Sequence, residues 1–218
     1  HSVHMLSFPR DLQSPEVLKV SGNPQNSRIN QAVAYGGIEL AKIALENATG
    51  LSMDLAAVVN FDVLIDLIDK TVGYIEVELD TKIEDPTYPA MEGVGFDPFY
   101  ISAGTHKLDG STALKVARSR HSALFAPNND YIRAERQQKI IRALFKRLLE
   151  EGKGLNAIKI LATLNNILNQ KKEQGTLQTD FDIKMLMLAD LAKMVKDIPD
   201  ILWTQVFGGG WQVTKEPT

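Results

Sequence analysis

The sequence predicts an α/β fold: a single-domain α-β-α sandwich in which helices flank a central mixed sheet. Strand-like and helix-like segments alternate along the chain, which is the pattern of a sheet covered by helices on both faces. The 218 residues are 44% hydrophobic, which is enough to form a core. No repeat and no linker rich in proline, serine or glycine divides the chain, so we expect one domain over 1–218. The absence of cysteine excludes a disulfide scaffold and Cys-ligated zinc.

The first half of the chain carries strand and helix patterns in turn. Ile38, Ala41 and Leu45 recur at helical spacing, and Gly50 follows as a stop signal. A short, nearly continuous apolar run is typical of a central strand with both faces covered. The predicted elements are a buried strand over 3–8, a loop over 14–27, a helix over 29–47, this central strand over 55–61, a helix over 63–72 and a half-exposed strand over 74–79.

The second half begins with an acidic loop and continues mainly as helices. The loop over 81–98 contains three prolines, and a structureless loop of this length in a compact domain is often functional. An apolar stripe predicts the best-defined helix over 130–151, which Gly152 ends. The remaining predicted elements are a strand over 99–102, a helix over 111–116 that ends around 118–120, helices over 155–170 and 182–196, and a short apolar segment over 211–213.

The net charge of −3 conceals a strongly basic segment. Nine lysines and arginines lie between Lys115 and Arg147 against two acids, whereas ten acids lie between Asp54 and Glu92 against two lysines. A basic segment in an otherwise acidic protein predicts a cleft that attracts an anionic ligand. The alternative is a solvated outer face of a helix. That alternative suits four residues near the end of the segment, Lys139, Arg142, Lys146 and Arg147.

Six of the eight arginines lie in or beside loops and helix starts. Arg118 and Arg120 are two residues apart, so their side chains share one side only where the backbone is extended. Arg133 and Arg136 fall in the first turns of a predicted helix, where the macrodipole disfavours cations by roughly 0.3 to 1 kcal/mol each. This placement indicates a phosphate held between guanidinium groups and free backbone N–H groups. The alternative is that Asp130 caps the helix and pairs with Arg133.

Short motifs between about residue 5 and residue 150 resemble one protein family. They occur in the family's order and with similar spacing, so the set is more specific than any single motif. They are Ser7-Phe8-Pro9-Arg10-Asp11, Arg28-Ile29-Asn30, Ala34-Tyr35-Gly36-Gly37, Val58-Val59-Asn60-Phe61-Asp62, Leu67-Ile68-Asp69, Leu108-Asp109-Gly110, Arg118-Ser119-Arg120-His121 and Asp130-Tyr131-Ile132-Arg133-Ala134-Glu135-Arg136-Gln137-Gln138. In these motifs the chain resembles the LytR-CpsA-Psr family of bacterial cell-wall assembly proteins.

The resemblance implies an extracytoplasmic phosphotransferase that one N-terminal helix anchors in the bacterial membrane. Such an enzyme would bind a polyprenyl-pyrophosphate-linked glycopolymer with arginines and Mg²⁺, and would place the lipid in a hydrophobic tunnel. It would then transfer the phosphosugar polymer to its acceptor, peptidoglycan. The expected partners are therefore a polyprenyl (pyro)phosphate carrier and peptidoglycan, with no nucleic acid.

The resemblance also assigns site residues by position. The expected pyrophosphate-binding residues are Arg10, Arg28, Arg118, Arg120, Arg133 and Gln137. The expected catalytic residues are Arg118, Arg120, Asp130 and Arg133, of which Asp130 would orient the arginines. We expect no metal ligand within this chain, because the family's metal-binding aspartates would lie upstream of residue 1, together with the first strand segment and the membrane anchor.

Two other functions fit parts of the sequence. One is a non-catalytic module that binds a polyprenyl phosphate without turnover, which suits a chain that lacks the metal-binding aspartates. The other is a nucleic-acid-binding regulator. The acidic isoelectric point of about 5.8, the lack of a helix-turn-helix signature and the compactness of the arginine cluster argue against it. The four histidines show no metal-ligand spacing, so we expect no zinc site.

Overall fold

Helices alternate with short strand pairs in the computed structural model of the chain. It describes residues 5–90, 94–119, 129–151, 156–184, 206–207 and 210–211, without the side chains of 129–131, 206–207 and 210–211. The helices are α1 (Pro15–Ser21), α2 (Ala32–Thr49), α3 (Phe61–Thr71), α4 (Gly110–Arg118), α5 (Asn129–Glu151) and α6 (Asn156–Glu173). The strands are β1 (Ala57–Val59), β2 (Ile75–Leu79), β3 (Ile83–Asp85), β4 (Phe99–Ile101), β5 (Gly104–Leu108), β6 (Leu177–Thr179), β7 (Val206–Phe207) and β8 (Gly210–Trp211).

The described strands pair two by two. β1 pairs with β6, β2 with β5, β3 with β4 and β7 with β8, and each of these pairs is antiparallel. Helix α5 packs on β2 and on α4, and α3 packs on α4 and α6. The predicted α/β class with flanking helices is confirmed. The strand pairing differs in detail from the expected mixed sheet, since β3 turns back on β4 as a hairpin instead of crossing over through a helix.

The main core lies between the β2–β5 pair and helices α3, α4 and α5. In β2, Ile75, Val77 and Leu79 are buried, while Glu76 and Glu78 are exposed. This alternation confirms the half-exposed strand that the sequence predicts. The helices contribute Ile68, Ala113, Val116, Ala117, Ile140 and Leu144 to the same cluster. The core therefore packs the C-terminal half of α4 against the middle of α5.

Residues 14–27, which the sequence predicts as a loop, contain a helix. Ser14 caps α1 by accepting a hydrogen bond from the backbone N–H of Val17, Pro15 lies in the first turn, and Gly22 ends the helix at φ 65°. Serine, proline and glycine therefore mark the ends of a helix here, and not a turn. The loop prediction is wrong for this segment.

Two predicted strands of the first half differ from the structure. Residues 5–8 form no strand, and residues 3–4 lie outside the described part. Strand β1 has three residues, and Val59 is 56% exposed. The prediction of a central strand with both faces covered is therefore wrong. Among the described strands, the apolar run around β1 pairs with β6 alone.

The predicted helix over 29–47 is interrupted. Ile29–Gln31 form a 3₁₀ turn, and α2 then kinks at Gly36 and Gly37. Gly37 has φ 66° and ψ −159°, a conformation that residues with a side chain rarely adopt. The glycine pair thus changes the direction of the helix within the family motif.

The predictions for the second half hold better for helices than for the loop. Helices α4, α5 and α6 confirm the predicted helices over 111–116, 130–151 and 155–170. The acidic segment 81–98 is not a structureless loop, because it contains β3 and a bridge between Pro89 and Phe96. Of the predicted helix over 182–196, residues 182–184 are not helical, and the rest lies outside the described residues, as do 212–213 of the predicted apolar segment.

Candidate functional site

Helix α4 presents Arg118 at its C-terminal end. The Asp109 side chain caps its N-terminus by accepting a 2.7 Å hydrogen bond from the backbone N–H of Thr112. The N–H of Gly110 donates to Asp69 of α3 at 2.7 Å, and a Cβ at Gly110 would lie 2.6 Å from the backbone of Ile65. The family motifs around Asp69 and Gly110 therefore serve to seat α4 closely on α3.

The guanidinium group of Arg118 lies on aromatic rings. Its central carbon is 4.1 Å from the ring centre of Phe61 and 5.6 Å from that of Tyr88. These are cation–π distances. No carboxylate of the described part of the chain forms an ion pair with Arg118. Within the described residues, aromatic rings and not a carboxylate therefore orient this cation.

Tyr88 forms the buried floor of this site. Burial raises the pKa of its hydroxyl, and the positive charge of Arg118 opposes that rise. The ring packs against Phe99 with centroids 6.2 Å apart. Lys115, one turn before Arg118 on α4, lies 6.0 Å above the same ring and forms a 2.5 Å ion pair with Asp97. Two cations therefore share one aromatic surface, and one of them already has its carboxylate.

The beginning of α5 closes the site from the other side. Arg136 is 6% exposed and donates a 3.2 Å hydrogen bond to the backbone carbonyl of Ser119. Gln137 donates through Nε2 to the carbonyl of Ala117 at 3.2 Å. Burial lowers the pKa of Arg136, and the nearby charge of Arg133 lowers it further, while Glu135 and Asp85 raise it. Arg133 and Arg136 thus bring two positive charges close together at the α4–α5 junction.

A buried carboxylate stands behind this junction. Asp85, the last residue of β3, accepts a 2.8 Å hydrogen bond from the Ser119 hydroxyl, and both residues are almost fully buried. Ser119 follows α4 with φ −56° and ψ 131°. The backbone between Arg118 and Arg120 is therefore extended, as the two-residue spacing requires if both side chains are to share one side.

Arg10 and Arg28 form a second, more exposed cluster. Both contact the same oxygen of Asp11, through Nε of Arg10 at 3.2 Å and through an Arg28 amino nitrogen at 3.1 Å. Burial raises the pKa of Asp11, but the hydrogen bonds and charges of the two arginines outweigh it, so the pKa lies below its ordinary value. A bridge between Gln13 and Arg28 holds the two chain segments together. The Nε of Arg28 is buried without a hydrogen-bond partner among the described residues.

One hydrogen bond connects the N-terminal segment to α5. Gln138 donates through Nε2 to the Ser7 hydroxyl at 2.7 Å. Ser7 precedes Arg10 by three residues, so the Cα of Arg10 lies within about 11 Å of the Cα of Ser7. The contact brings the segment with Arg10 to the first turns of α5, next to Gln137.

The structure describes some of the expected site residues and not others. It places Gln137 on the carbonyl of Ala117, the residue before Arg118, and Arg133 near Arg136, and it joins Arg10 and Arg28 through Asp11 in the separate cluster. Arg120 lies outside the described residues, and so does the side chain of Asp130. Their expected roles, including an Asp130–Arg133 pair, stay predictions.

Sequence reasoning missed two residues at this junction, Asp85 and Phe61, and it placed Arg136 beside a phosphate without giving it a role in the site. Arg136 stands three positions after Arg133, and this spacing on one helix face was a usable signal. Asp85 lies in the segment that the sequence predicts as a long acidic loop, and Phe61 ends the apolar run over 55–61. Their positions next to Arg118 and Ser119 depend on tertiary contacts between segments far apart in sequence.

The described residues do not fit a Mg²⁺ site. No group of three or more His, Asp or Glu side chains lies together within the described ranges. Asp11 forms ion pairs with two arginines, and the buried Asp85 accepts a hydrogen bond from Ser119. Mg²⁺ requires several oxygen ligands in octahedral geometry. None of the described helices is long and apolar enough to cross a membrane.

Comparisons with known proteins point to one family. The LytR_cpsA_psr family profile matches residues 1–207. TagU of Enterococcus faecalis, named a polyisoprenyl-teichoic acid–peptidoglycan teichoic acid transferase, is 28% identical over 165 residues, which are 72% of this chain and 50% of that protein. The chain spans about half the length of the curated relatives it matches.

Solved structures show the same fold. A LytR-Csp2A-Psr enzyme from Actinomyces oris matches with a TM-score of 0.67 and 19% identity, over 96% of this chain and 73% of that one. A structure of TagT bound to LI-WTA matches with a TM-score of 0.58 and 20% identity, over 94% and 67% of the two chains. Since the family profile covers nearly the whole sequence, the chain belongs to the LytR_cpsA_psr family.

Proposed function

We propose that the chain is the catalytic region of an extracytoplasmic phosphotransferase. It binds a polyprenyl-pyrophosphate-linked glycopolymer through the arginines of the α4–α5 junction and transfers the phosphosugar polymer to peptidoglycan. The observation that carries the proposal is Arg118, a cation held on two aromatic rings without an ion pair to a described carboxylate. A fold that orients a charge in this way is prepared for an anion from outside.

The chemistry of the junction favours a phosphate group. Arg118, Arg133 and the buried Arg136 supply planar guanidinium groups, which bind phosphate oxygens through paired hydrogen bonds. Arg136 keeps its charge despite a lowered pKa, because arginine titrates far above neutral pH. TagU is named as an enzyme that transfers teichoic acid to peptidoglycan, which supports a phosphorylated polymer as the substrate class.

A lipid tail also suits the surroundings of Arg118. Phe61, which carries the guanidinium group, is itself 50% exposed, and the nearby Val59 is similarly exposed. Exposed apolar side chains beside a cation match a ligand with a phosphate head and an isoprenoid tail. The pyrophosphate would lie at the arginines, and the first isoprene units would lie along Phe61.

The proposed reaction is a phosphoryl transfer. A hydroxyl of peptidoglycan attacks the phosphorus that carries the sugar polymer, and a new P–O bond forms while the bridging P–O bond of the pyrophosphate breaks. Polyprenyl phosphate leaves, and the hydroxyl proton passes to solvent. The arginines stabilise the charge on the transferred and leaving phosphates, which is the main protein contribution in reactions of this kind.

The proposed enzyme uses Mg²⁺ and a membrane anchor, and the described residues form neither a metal cluster nor a membrane-spanning helix. The described carboxylates do not fit a site for Mg²⁺, so the arginines are the described residues that would bind the phosphates. If the arginines alone bind the head group, binding of a polyprenyl phosphate persists in EDTA while turnover stops. An extracytoplasmic location follows from the acceptor, since peptidoglycan lies outside the cytoplasmic membrane.

Mass spectrometry of a lipid extract from the purified protein tests the substrate class. A co-purified polyprenyl phosphate supports the proposal, and a turnover assay then follows release of polyprenyl phosphate as polymer becomes attached to peptidoglycan. Binding without turnover in the presence of Mg²⁺ would make the chain a lipid-carrier binding module. Failure to bind any polyprenyl phosphate, or salt-dependent DNA binding instead, would contradict the proposal.

A further inference from the structure

We infer that Asp85 is a positioning residue for the phosphate-binding arginines: it fixes Ser119, the extended residue that directly follows Arg118 and accepts a hydrogen bond from the buried Arg136. The inference rests on the proposed function, because it concerns how the same site is held. Asp85 lies on β3, outside every motif that carries the family resemblance and outside the set of expected site residues. What places it at the site is the contact between β3 and the end of α4.

The Asp85 carboxylate is held from both oxygens. Oδ2 accepts the 2.8 Å hydrogen bond from the Ser119 hydroxyl, and Oδ1 accepts a longer one from the Thr87 hydroxyl at 3.4 Å. Asp85 is 3% exposed and Ser119 is 1% exposed. A carboxylate this deeply buried is costly unless it is hydrogen-bonded and close to positive charge. Its retention here indicates a specific structural task.

Ser119 connects this carboxylate to both helices. Its hydroxyl donates to Asp85, its carbonyl accepts from Arg136, and its N–H donates to Lys115 at the end of α4. Each polar group of the residue therefore binds a different element. Since Ser119 directly follows Arg118, these three bonds fix the backbone from which the Arg118 side chain projects toward Phe61.

The charge of Asp85 acts on Arg136. Burial disfavours the charged form of Arg136, and repulsion from Arg133 adds to this effect. The negative charges of Glu135 and Asp85 oppose both effects and favour charged Arg136. Without a carboxylate at position 85, the buried guanidinium would keep its hydrogen bond to Ser119 but lose one of these two balancing charges.

The backbone of Asp85 also helps to position Tyr88, the aromatic floor of the site. The backbone carbonyl of Asp85 accepts a 3.3 Å hydrogen bond from the N–H of Tyr88, and the Tyr88 ring lies under Arg118. Asp85 is thus tied to the site by its side chain, through Ser119, and by its main chain, through Tyr88. Both connections therefore help to fix the orientation of the Arg118 side chain.

Binding of geranylgeranyl pyrophosphate by isothermal titration calorimetry tests the inference. We expect Asp85→Asn, which keeps the size of the side chain but removes its charge, to raise Kd about tenfold relative to wild type. Ser119→Ala, which removes only the hydroxyl, should raise Kd about threefold. Asp80→Asn is the matched control, because Asp80 is an exposed acid that pairs with Lys139 of α5, and it should change Kd by less than about twofold.

A double-mutant cycle separates positioning from a general effect on folding. If Asp85 acts through Arg118, Asp85→Asn has a clearly smaller effect on Kd in an Arg118→Ala background than in wild type. Equal effects in both backgrounds, or Asp85→Asn binding as tightly as Asp80→Asn, would overturn the inference. If Asp85→Asn does not fold, Ser119→Ala decides, and an unchanged Kd for that variant overturns it. If wild type itself does not bind the probe, the proposed function fails together with the inference.

Discussion

The chain holds arginines in two regions that differ in how the positive charge is balanced. Arg10 and Arg28 lie near the surface and share the carboxylate of Asp11. At the α4–α5 junction, Arg118 lies on aromatic rings and Arg136 is buried against a backbone carbonyl. In the first region a carboxylate next to the arginines neutralises much of their charge. In the second, the carboxylate of Asp85 lies on the other side of the backbone, where it accepts a hydrogen bond from the Ser119 hydroxyl.

This difference indicates how the two regions would respond to a phosphate. The exposed cluster can adapt, since its ion pairs are screened by water and worth little. The junction is preorganised, because burial and hydrogen bonds fix its cations before a ligand arrives. We therefore expect the junction to determine affinity and the Arg10–Arg28 cluster to adjust it.

The largest predicted contrast concerns stability. Arg136→Ala should lower the free energy of unfolding by about 3 kcal/mol or more, because it removes a buried cation and leaves the Ser119 carbonyl without the hydrogen bond that Arg136 donates. Arg28→Ala should lower it by less than about 1 kcal/mol, since its ion pair is exposed. Urea unfolding followed by circular dichroism measures both values. Equal losses for the two variants would remove the distinction between the regions.

The next prediction concerns binding by the exposed cluster. Arg28→Ala should weaken geranylgeranyl pyrophosphate binding about tenfold, because one charge-assisted contact is lost. The buried Nε of Arg28, which has no partner among the described residues, favours such a contact. Lys82→Ala, an exposed cation paired with Glu84, serves as the control in the same calorimetric titration. An Arg28→Ala affinity equal to that of the control would remove this cluster from the site.

A smaller effect is expected at the aromatic support. Phe61→Leu keeps an apolar side chain but removes the ring under Arg118, and a cation–π contact is worth about 0.5 to 1 kcal/mol at a partly exposed site. The Kd should therefore rise about threefold. Phe61→Tyr retains the ring and should bind as wild type does. If Phe61→Tyr were as impaired as Phe61→Leu, the ring contact would not explain the position of Arg118.

The smallest effect is a pH dependence of the exposed cluster. The pKa of Asp11 is lowered in the fold, so its stabilising contribution is present above the unfolded-state pKa near 4 and is lost as pH falls through the lower folded-state value. The stability difference between wild type and Asp11→Asn should be less than about 1 kcal/mol at pH 7 and should shrink as the pH falls below about 4. Urea unfolding over this pH range measures it, and a difference that grows on acidification would contradict the assigned ion pair.

The sequence allowed prediction of the site wherever the signal was local. The charge pattern and the positions of Arg118 and Arg133 at helix ends predicted an anion site, and the helices that carry these arginines occur as expected. Helix α5 was predictable because its apolar stripe has a clear period and a glycine follows its end. These features depend on neighbouring residues and hardly on the rest of the fold.

Other features depend on contacts that the sequence does not display. Residues 5–8 have the composition of a strand but pair with no strand in the described part of the chain, and the residues at 14–15 and 22 proved to be helix boundaries. Asp85 and Arg136 are charged residues that composition places on the surface, yet both are buried because they are connected through Ser119. Burial of a charged side chain depends on tertiary contacts, so the sequence alone does not predict it.

The most direct test of the junction as the phosphate site compares two arginines that both lie on aromatic rings. Arg147 of α5 lies 4.6 Å from the ring centre of Tyr74 but also forms ion pairs with Glu150 and Glu151, whereas Arg118 forms no ion pair with a described carboxylate. Calorimetric titration with geranylgeranyl pyrophosphate should show Arg118→Ala binding about 100-fold more weakly than wild type. Arg147→Ala should bind within about twofold of wild type. Equal affinity of the two variants would contradict the assignment of the phosphate site to the α4–α5 junction.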